Sequence, residues 1–149
     1  MAALNCFHLA IPVSDLDQTP AFYEIVIGCS RGRESDSWID LNFFGHQLVL
    51  HRVGQDAQQD RGTLTNPVDG EEIPIPHFGI VLEWAAFDRL VARIKSAGTD
   101  FLIAPTTRFE GRAGEQRTCF LIDPSGNCLE FKAFRDLGRL FSKNLALYD

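Results

Sequence analysis

Two stretches of this chain follow one plan, and any fold proposed for it must accommodate both. Phe7-His8-Leu9-Ala10-Ile11-Pro12-Val13 leads through a polar Ser14-Asp15 pair to Ala21-Phe22-Tyr23-Glu24-Ile25-Val26-Ile27-Gly28. Pro76-His77-Phe78-Gly79-Ile80-Val81-Leu82 leads through Glu83-Trp84 to a helical run that ends at Ala97-Gly98. Each has a His near the start of a short apolar run and a Gly about twenty residues beyond it, the punctuation of a duplicated supersecondary unit.

The runs after His8 and His77 are short and β-branched, which suits strands. In the second stretch Phe87, Leu90, Val91 and Ile94 recur at helical spacing, predicting a helix that Gly98 stops. In the first, Thr19-Pro20 read as an N-cap followed by Pro at the first helical position. Phe22, Ile25 and Val26 would form its buried face, with Gly28 at its end. Three strand-like pieces follow each helix: Arg31–Glu34, Trp38–Phe43 and Gln47–Val53, then Phe101–Ala104, Arg117–Ile122 and Cys128–Phe134. Phe44-Gly45-His46 and Asp123-Pro124-Ser125-Gly126-Asn127 supply the turns before the last strand of each half.

Each half therefore reads strand–helix–strand–strand–strand, with module one at 4–53 and module two at 76–134. The stretch 54–75 between them is polar and punctuated by Pro and Gly, a linker and candidate lid. The tail 135–149 is expected to form a short amphipathic helix through Leu137, Leu140 and Phe141.

Composition narrows the function. The 149 residues amount to one domain, and 45% hydrophobic with 23% charged residues excludes disorder. A net charge of −6 with no basic run argues against a nucleic acid or an anionic membrane as partner. No apolar stretch approaches the ~20 residues that cross a bilayer. The N-terminus lacks the basic region and long apolar core of a signal peptide. Cys6, Cys29, Cys119 and Cys128 show no Cys-x-x-Cys spacing, which excludes a zinc knuckle or thioredoxin motif. They read as buried thiols in a reducing compartment, so a cytoplasmic protein with a small-molecule substrate is expected.

Three residues stand out chemically. His8 and His77 occupy matching places in the two halves, and Glu130 is the acidic residue inside the apolar strand Cys128-Leu129-Glu130-Phe131. A carboxylate flanked by Leu129 and Phe131 is costly to desolvate unless a cation or hydrogen-bond donors meet it. Two imidazoles and one carboxylate around a cavity make a facial triad, which leaves coordination positions open for substrate and, with iron, dioxygen. The bland alternatives are a satisfied core or edge His and a Glu facing solvent. The shared position of the two His in a duplicated unit is what favours a site.

The layout resembles the vicinal oxygen chelate superfamily, which includes glyoxalase I, bleomycin-resistance proteins, fosfomycin-resistance thiol transferases and extradiol dioxygenases. The resemblance rests on His8 to Asp17 with Ala21-Phe22-Tyr23, on His77-Phe78-Gly79-Ile80-Val81, and on Phe120-Leu121-Ile122-Asp123-Pro124-Ser125-Gly126-Asn127-Cys128-Leu129-Glu130-Phe131. It implies an α+β fold of two βαβββ modules whose curled mixed β-sheets surround a cavity with a divalent metal at its base. By position, His8, His77 and Glu130 match the family's metal ligands. Aligning Gly45-His46-Gln47-Leu48-Val49 with Gly126-Asn127-Cys128-Leu129-Glu130 puts Val49 where glyoxalase I has an extra carboxylate. His51, two residues on, faces the same way.

A three-ligand set is closer to the extradiol dioxygenases, which implies Fe(II), or to the fosfomycin enzymes, which implies Mn(II); Zn(II) and Ni(II) remain open. The expected substrate is a small catechol- or enediol-type molecule that chelates the metal. His51 is the candidate acid/base. Arg117 is the candidate clamp for an anionic group, and Gln47, Val49 and Cys119 the candidate pocket lining. The loop 109–116, with Gly111 and Gly114, is a candidate cover. A homodimer is implied, and exchanged modules in several members would let His8 of one chain meet His77 and Glu130 of another. The other readings are a glyoxalase-type lyase or fosfomycin-type thiol transferase, and a metal-free drug-binding resistance protein.

Overall fold

A computed structural model of the chain describes residues 4–54 and 64–144. It divides into two compact units, Met1–Ile75 with Asp123–Asn127, and Pro76–Ile122 with Cys128–Asp149.

In the first unit, β1 (His8–Val13), β2 (Ser30–Glu34), β3 (Trp38–Phe43) and β4 (His46–Arg52) form a mixed sheet of order β1-β4-β3-β2. β1 runs parallel to β4, and the other pairs are antiparallel. Side chains alternate across the pleat. Ile11, Val13, Ile39, Leu41, Phe43, Leu48 and Leu50 are buried on one face. His8, Gln47, His51, Trp38, Asp40 and Asn42 lie on the other, called here the polar face.

The helical crossover departs from the expected pattern. One α-turn, α1 (Gln18–Ala21), passes into a π-helical segment at Phe22–Ile27, which Gly28 ends at φ 93°. Wider winding changes which residues share a side. Tyr23 and Ile27 join Phe22 and Val26 in the core, while Ile25, expected inside, is 65% exposed. The cap also differs. Asp15 accepts from the amides of Asp17, Gln18 and Thr19 and from the Thr19 hydroxyl. Burial alone would raise the Asp15 pKa, but these hydrogen bonds outweigh it and hold the carboxyl below its ordinary range.

The second unit repeats the plan. β7 (His77–Leu82), α2 (Trp84–Ser96), β8 (Ile103–Arg108), β9 (Gln116–Ile122) and β10 (Cys128–Phe134) give a sheet of order β7-β10-β9-β8. Phe87, Leu90 and Ile94 of α2 are buried, as are Cys119, Leu121, Leu129, Phe131 and Ala133 of the sheet. The registers coincide: His8 stands opposite Gln47, and His77 opposite Cys128. Val49 and Glu130 therefore occupy equivalent positions, opposite Ala10 and Gly79.

The stretch read as a linker is partly structured. β5 (Leu64–Val68) and β6 (Glu71–Ile75) form a hairpin. Its turn residues Asp69 and Gly70 both have positive φ, as a two-residue hairpin loop requires. Residues 55–63 of that stretch and 145–149 of the tail lie outside the described residues. Among the described residues of the tail, the expected helix is a single 3₁₀ turn, Leu137–Arg139, capped by Asp136, and Phe141 is 89% exposed. No helix among the described residues is long and apolar enough to cross a membrane.

Candidate metal centre

Glu130 sits on the central strand of the second sheet, between Phe120 of β9 and Gly79 of β7. It is 9% exposed, so its charge needs partners. The Thr118 hydroxyl donates to Oε1 at 2.6 Å, and Lys132 Nζ lies 3.4 Å from the same oxygen. His77 Nε2 stands 3.0 Å from Oε2. The His77 ring meets Phe120 edge-on, with centroids 5.3 Å apart. A period of two along β10 places Lys132 on the face of Glu130, and the pairing of Thr118 with Lys132 brings Thr118 of β9 to the same face.

Gly79 brings the strands together. A Cβ there would lie 1.5 Å from the Glu130 carbonyl oxygen, so only glycine fits this close approach.

In the first unit His8 is exposed, and its Nδ1 lies 2.8 Å from Gln47 Oε1. An amide oxygen only accepts, so Nδ1 is the donor of this hydrogen bond, and Nε2 is the ring nitrogen directed away from Gln47. Metal-binding histidines are oriented and made more basic in this way. Gln47, expected as pocket lining, is thus the residue that holds His8. Val49 is buried opposite Asp40 of β3. His51 is exposed near the end of β4, opposite Trp38 and Pro12. His46 accepts the Phe7 amide on Nδ1.

Arg117 and Cys119 were expected at the pocket, but alternation along β9 puts them on the face opposite Thr118 and Phe120. Arg117 pairs with Asp88 and covers one Trp84 ring contact at 4.2 Å, while Arg135 makes another at 3.8 Å. Burial pushes the Cys119 thiol up to about 12, only partly opposed by a hydrogen bond from the Phe131 backbone and reinforced by the Glu130 charge. The loop 109–116 is tied to this cluster through Glu115, which accepts from the Gly111 amide and from Arg135. Hydrogen bonds from these groups outweigh burial and lower the Glu115 pKa.

The Asp123–Asn127 turn packs within the first unit. The Tyr23 hydroxyl donates to Asp123 Oδ2 at 2.8 Å, Ser125 Oγ lies 2.6 Å from Thr19 Oγ1, and Asn127 Nδ2 donates to the Pro12 carbonyl. Burial raises the Asp123 pKa against hydrogen bonds that lower it, and raises that of Tyr23 with help from the Asp123 charge. The chain's strongest motif therefore serves as a polar anchor.

The residues suit a divalent ion in donor type. His77 Nε2 and Glu130 Oε2 converge, His8 presents Nε2, and imidazole with carboxylate is a donor set for first-row metals. Among the described residues, no three His, Cys, Asp or Glu side chains of one chain form a group able to hold a metal.

Comparison with known proteins identifies the family of the fold. A family model described as the Glyoxalase/Bleomycin resistance protein/Dioxygenase superfamily matches residues 6–131. No curated protein matches the chain in sequence. Among solved structures, a glyoxalase/bleomycin resistance protein/dioxygenase from Alicyclobacillus acidocaldarius is 40% identical, with 93% of this chain and 96% of that one covered and a TM-score of 0.72. The fosfomycin resistance protein FosX from Listeria monocytogenes is 18% identical over 93% of this chain and 97% of its own, with a TM-score of 0.63. Lactoylglutathione lyase from Agrobacterium tumefaciens is 18% identical over 95% and 99%, with a TM-score of 0.61. At that identity the last two share the fold alone. With its paired βαβββ units in matching register, the chain belongs to the glyoxalase/bleomycin resistance protein/dioxygenase superfamily.

Proposed function

We propose that this protein is a metal-dependent, dioxygenase-like oxidoreductase of the cytoplasm, acting on a small catechol- or enediol-type substrate. The ion, Fe(II) in this reading, is held by His77 and Glu130 of one copy and His8 of a second copy in a homodimer. The observation that carries the reading is the convergence of His77 Nε2 and Glu130 Oε2 at 3.0 Å. Supporting it is His8 at the equivalent register position, with Gln47 on its Nδ1.

When bound, a divalent ion lowers the pKa of a chelating diol and assembles the reactants. The chain's own residues do the rest. Thr118 holds Oε1, which leaves Oε2 beside His77. Lys132 partly balances the buried carboxylate and places positive charge on the face that receives the ionised substrate. Val49, apolar and buried, leaves three protein ligands instead of four. His51, on the same strand face as Val49, accepts the proton that the substrate hydroxyl releases.

Anaerobic reconstitution with Fe(II), followed by oxygen uptake against a catechol panel and a parallel hemithioacetal assay, tests the reaction. Uptake with no hemithioacetal turnover is expected, and the reverse would make the protein a lyase. Mixing inactive His8→Ala and Glu130→Gln proteins tests the shared site. Mixed dimers should regain one complete site and part of the activity, whereas no recovery despite subunit exchange would place the ligands within one chain.

A further inference from the structure

The polar face of the first sheet carries a guanidinium that several local features hold in place. β2 and β3 pair Ser30 with Asn42 and Arg31 with Leu41, but Glu34 with Ile39, so Gly32 and Arg33 together face the single residue Asp40. In regular pairing Arg33 would oppose Ile39 and point with it to the core. The bulge turns it to the polar face instead, and bulges are a recurrent means of re-aiming a side chain beside a functional site.

Gly32 shares the bulge, and a Cβ there would stand 3.4 Å from the Asp40 Cβ, in ordinary van der Waals contact. Arg33 Nε and Nη2 both lie 2.9 Å from Asp40 Oδ2, and its guanidinium carbon stands 5.7 Å from the centroid of the Trp38 ring. Asp40 is buried beside Val49, whereas the Arg33 side chain is 77% exposed. Nearby Arg31 is engaged by both Glu24 and Glu34. Arg33 has only Asp40 as an ionic partner among the described residues, so part of its planar fork of donors is open.

A surface arginine needs neither a bulge nor a buried carboxylate to stay soluble. These features instead remove the rotamer entropy that a free arginine would lose on binding, which is preorganisation for a ligand. On a chain of net charge −6, an anionic ligand also needs a locally fixed cation.

We propose that Arg33 is an anion anchor that binds the carboxylate of a small organic acid on the polar face of the first sheet, the face that also carries His8 and Val49. This deepens the proposed function by giving the substrate a carboxylate in addition to its chelating oxygens. It rests on that reading only for where the rest of the molecule lies.

The test follows the Arg33 Nε–H signal of the ¹⁵N-labelled full chain by NMR, with sodium benzoate as the probe and benzamide as its neutral counterpart. Benzoate is expected to shift this signal saturably, with benzamide and the Arg31 signal as unresponsive controls. Arg33→Gln should weaken benzoate binding about tenfold or more. Because that variant strands Asp40, the double variant Arg33→Gln/Asp40→Asn is measured beside it and should stay folded and equally weak. A folded wild type whose Arg33 signal ignores benzoate, or in which Arg31 shifts equally, overturns the proposal, as does full binding by the folded double variant. Benzoate binding without oxygen uptake on any catechol would defeat the dioxygenase reading and leave the anchor standing.

Discussion

Replacing Gly79 with alanine puts a methyl group where β7 and β10 come nearest. The added Cβ would stand 1.5 Å from the Glu130 carbonyl oxygen, 2.6 Å from its carbon and 3.2 Å from its nitrogen. Carbon and oxygen ordinarily approach no closer than about 3.3 Å, so the strands must part locally by roughly 1.8 Å. All three atoms belong to the main chain, so no side chain can swing aside to relieve the clash. Two ladder hydrogen bonds at about 1 kcal/mol each, with overpacking strain of about 1–3 kcal/mol, give an expected loss near 3–5 kcal/mol. That is a large share of the roughly 5–15 kcal/mol that keeps a domain folded.

The same movement separates His77 from Glu130, now 3.0 Å apart. Urea unfolding followed by circular dichroism should show a much lower midpoint, and titration with Co(II) should show weakened binding at temperatures where the variant is still folded. A Gly79→Ala protein within about 0.5 kcal/mol of wild type, with unchanged Co(II) affinity, would refute the close approach and the coupling inferred from it.

Two further outcomes are expected. Cys6 is exposed while Cys29, Cys119 and Cys128 are buried, so a thiol reagent at pH 8 should label one cysteine quickly in the native protein and four after unfolding; rapid labelling of Cys119 would contradict its displacement to about 12. Tyr23→Phe removes one donor from the buried Asp123 and should cost about 1.5–3 kcal/mol in urea unfolding at neutral pH. Burial raises the folded pKa of Asp123, and the variant raises it further, so the deficit should grow as pH rises through that pKa and shrink once the carboxyl is protonated. A deficit independent of pH would argue against that hydrogen bond.

The duplicated plan was readable because strand pairing preserves it. Gly45 and Leu48 align with Gly126 and Leu129, and the register sets His8 opposite Gln47 as it sets His77 opposite Cys128. The anomaly of Glu130 was readable too, since a carboxylate between Leu129 and Phe131 must find donors somewhere. Which donors was not readable: Thr118 lies on a neighbouring strand, and no spacing rule singles it out. The buried side of the first helix was misjudged because a 3.6-residue period does not describe the π-helical Phe22–Ile27. Arg117, chosen for its charge near a turn, belongs to the Trp84 side of its strand.

Local chemistry along the chain determined the two modules, their punctuation and the residue types able to bind a metal, because hydrophobic period and turn residues act over short range. Tertiary structure decided matters that depend on neighbours from distant sequence. It joined His77 to Glu130, gave His8 its Gln47, and turned the Asp123–Asn127 motif into an anchor for Tyr23 and Thr19. It also placed Arg33 on the polar face, because a bulge exists only relative to the partner strand against which the extra residue is counted.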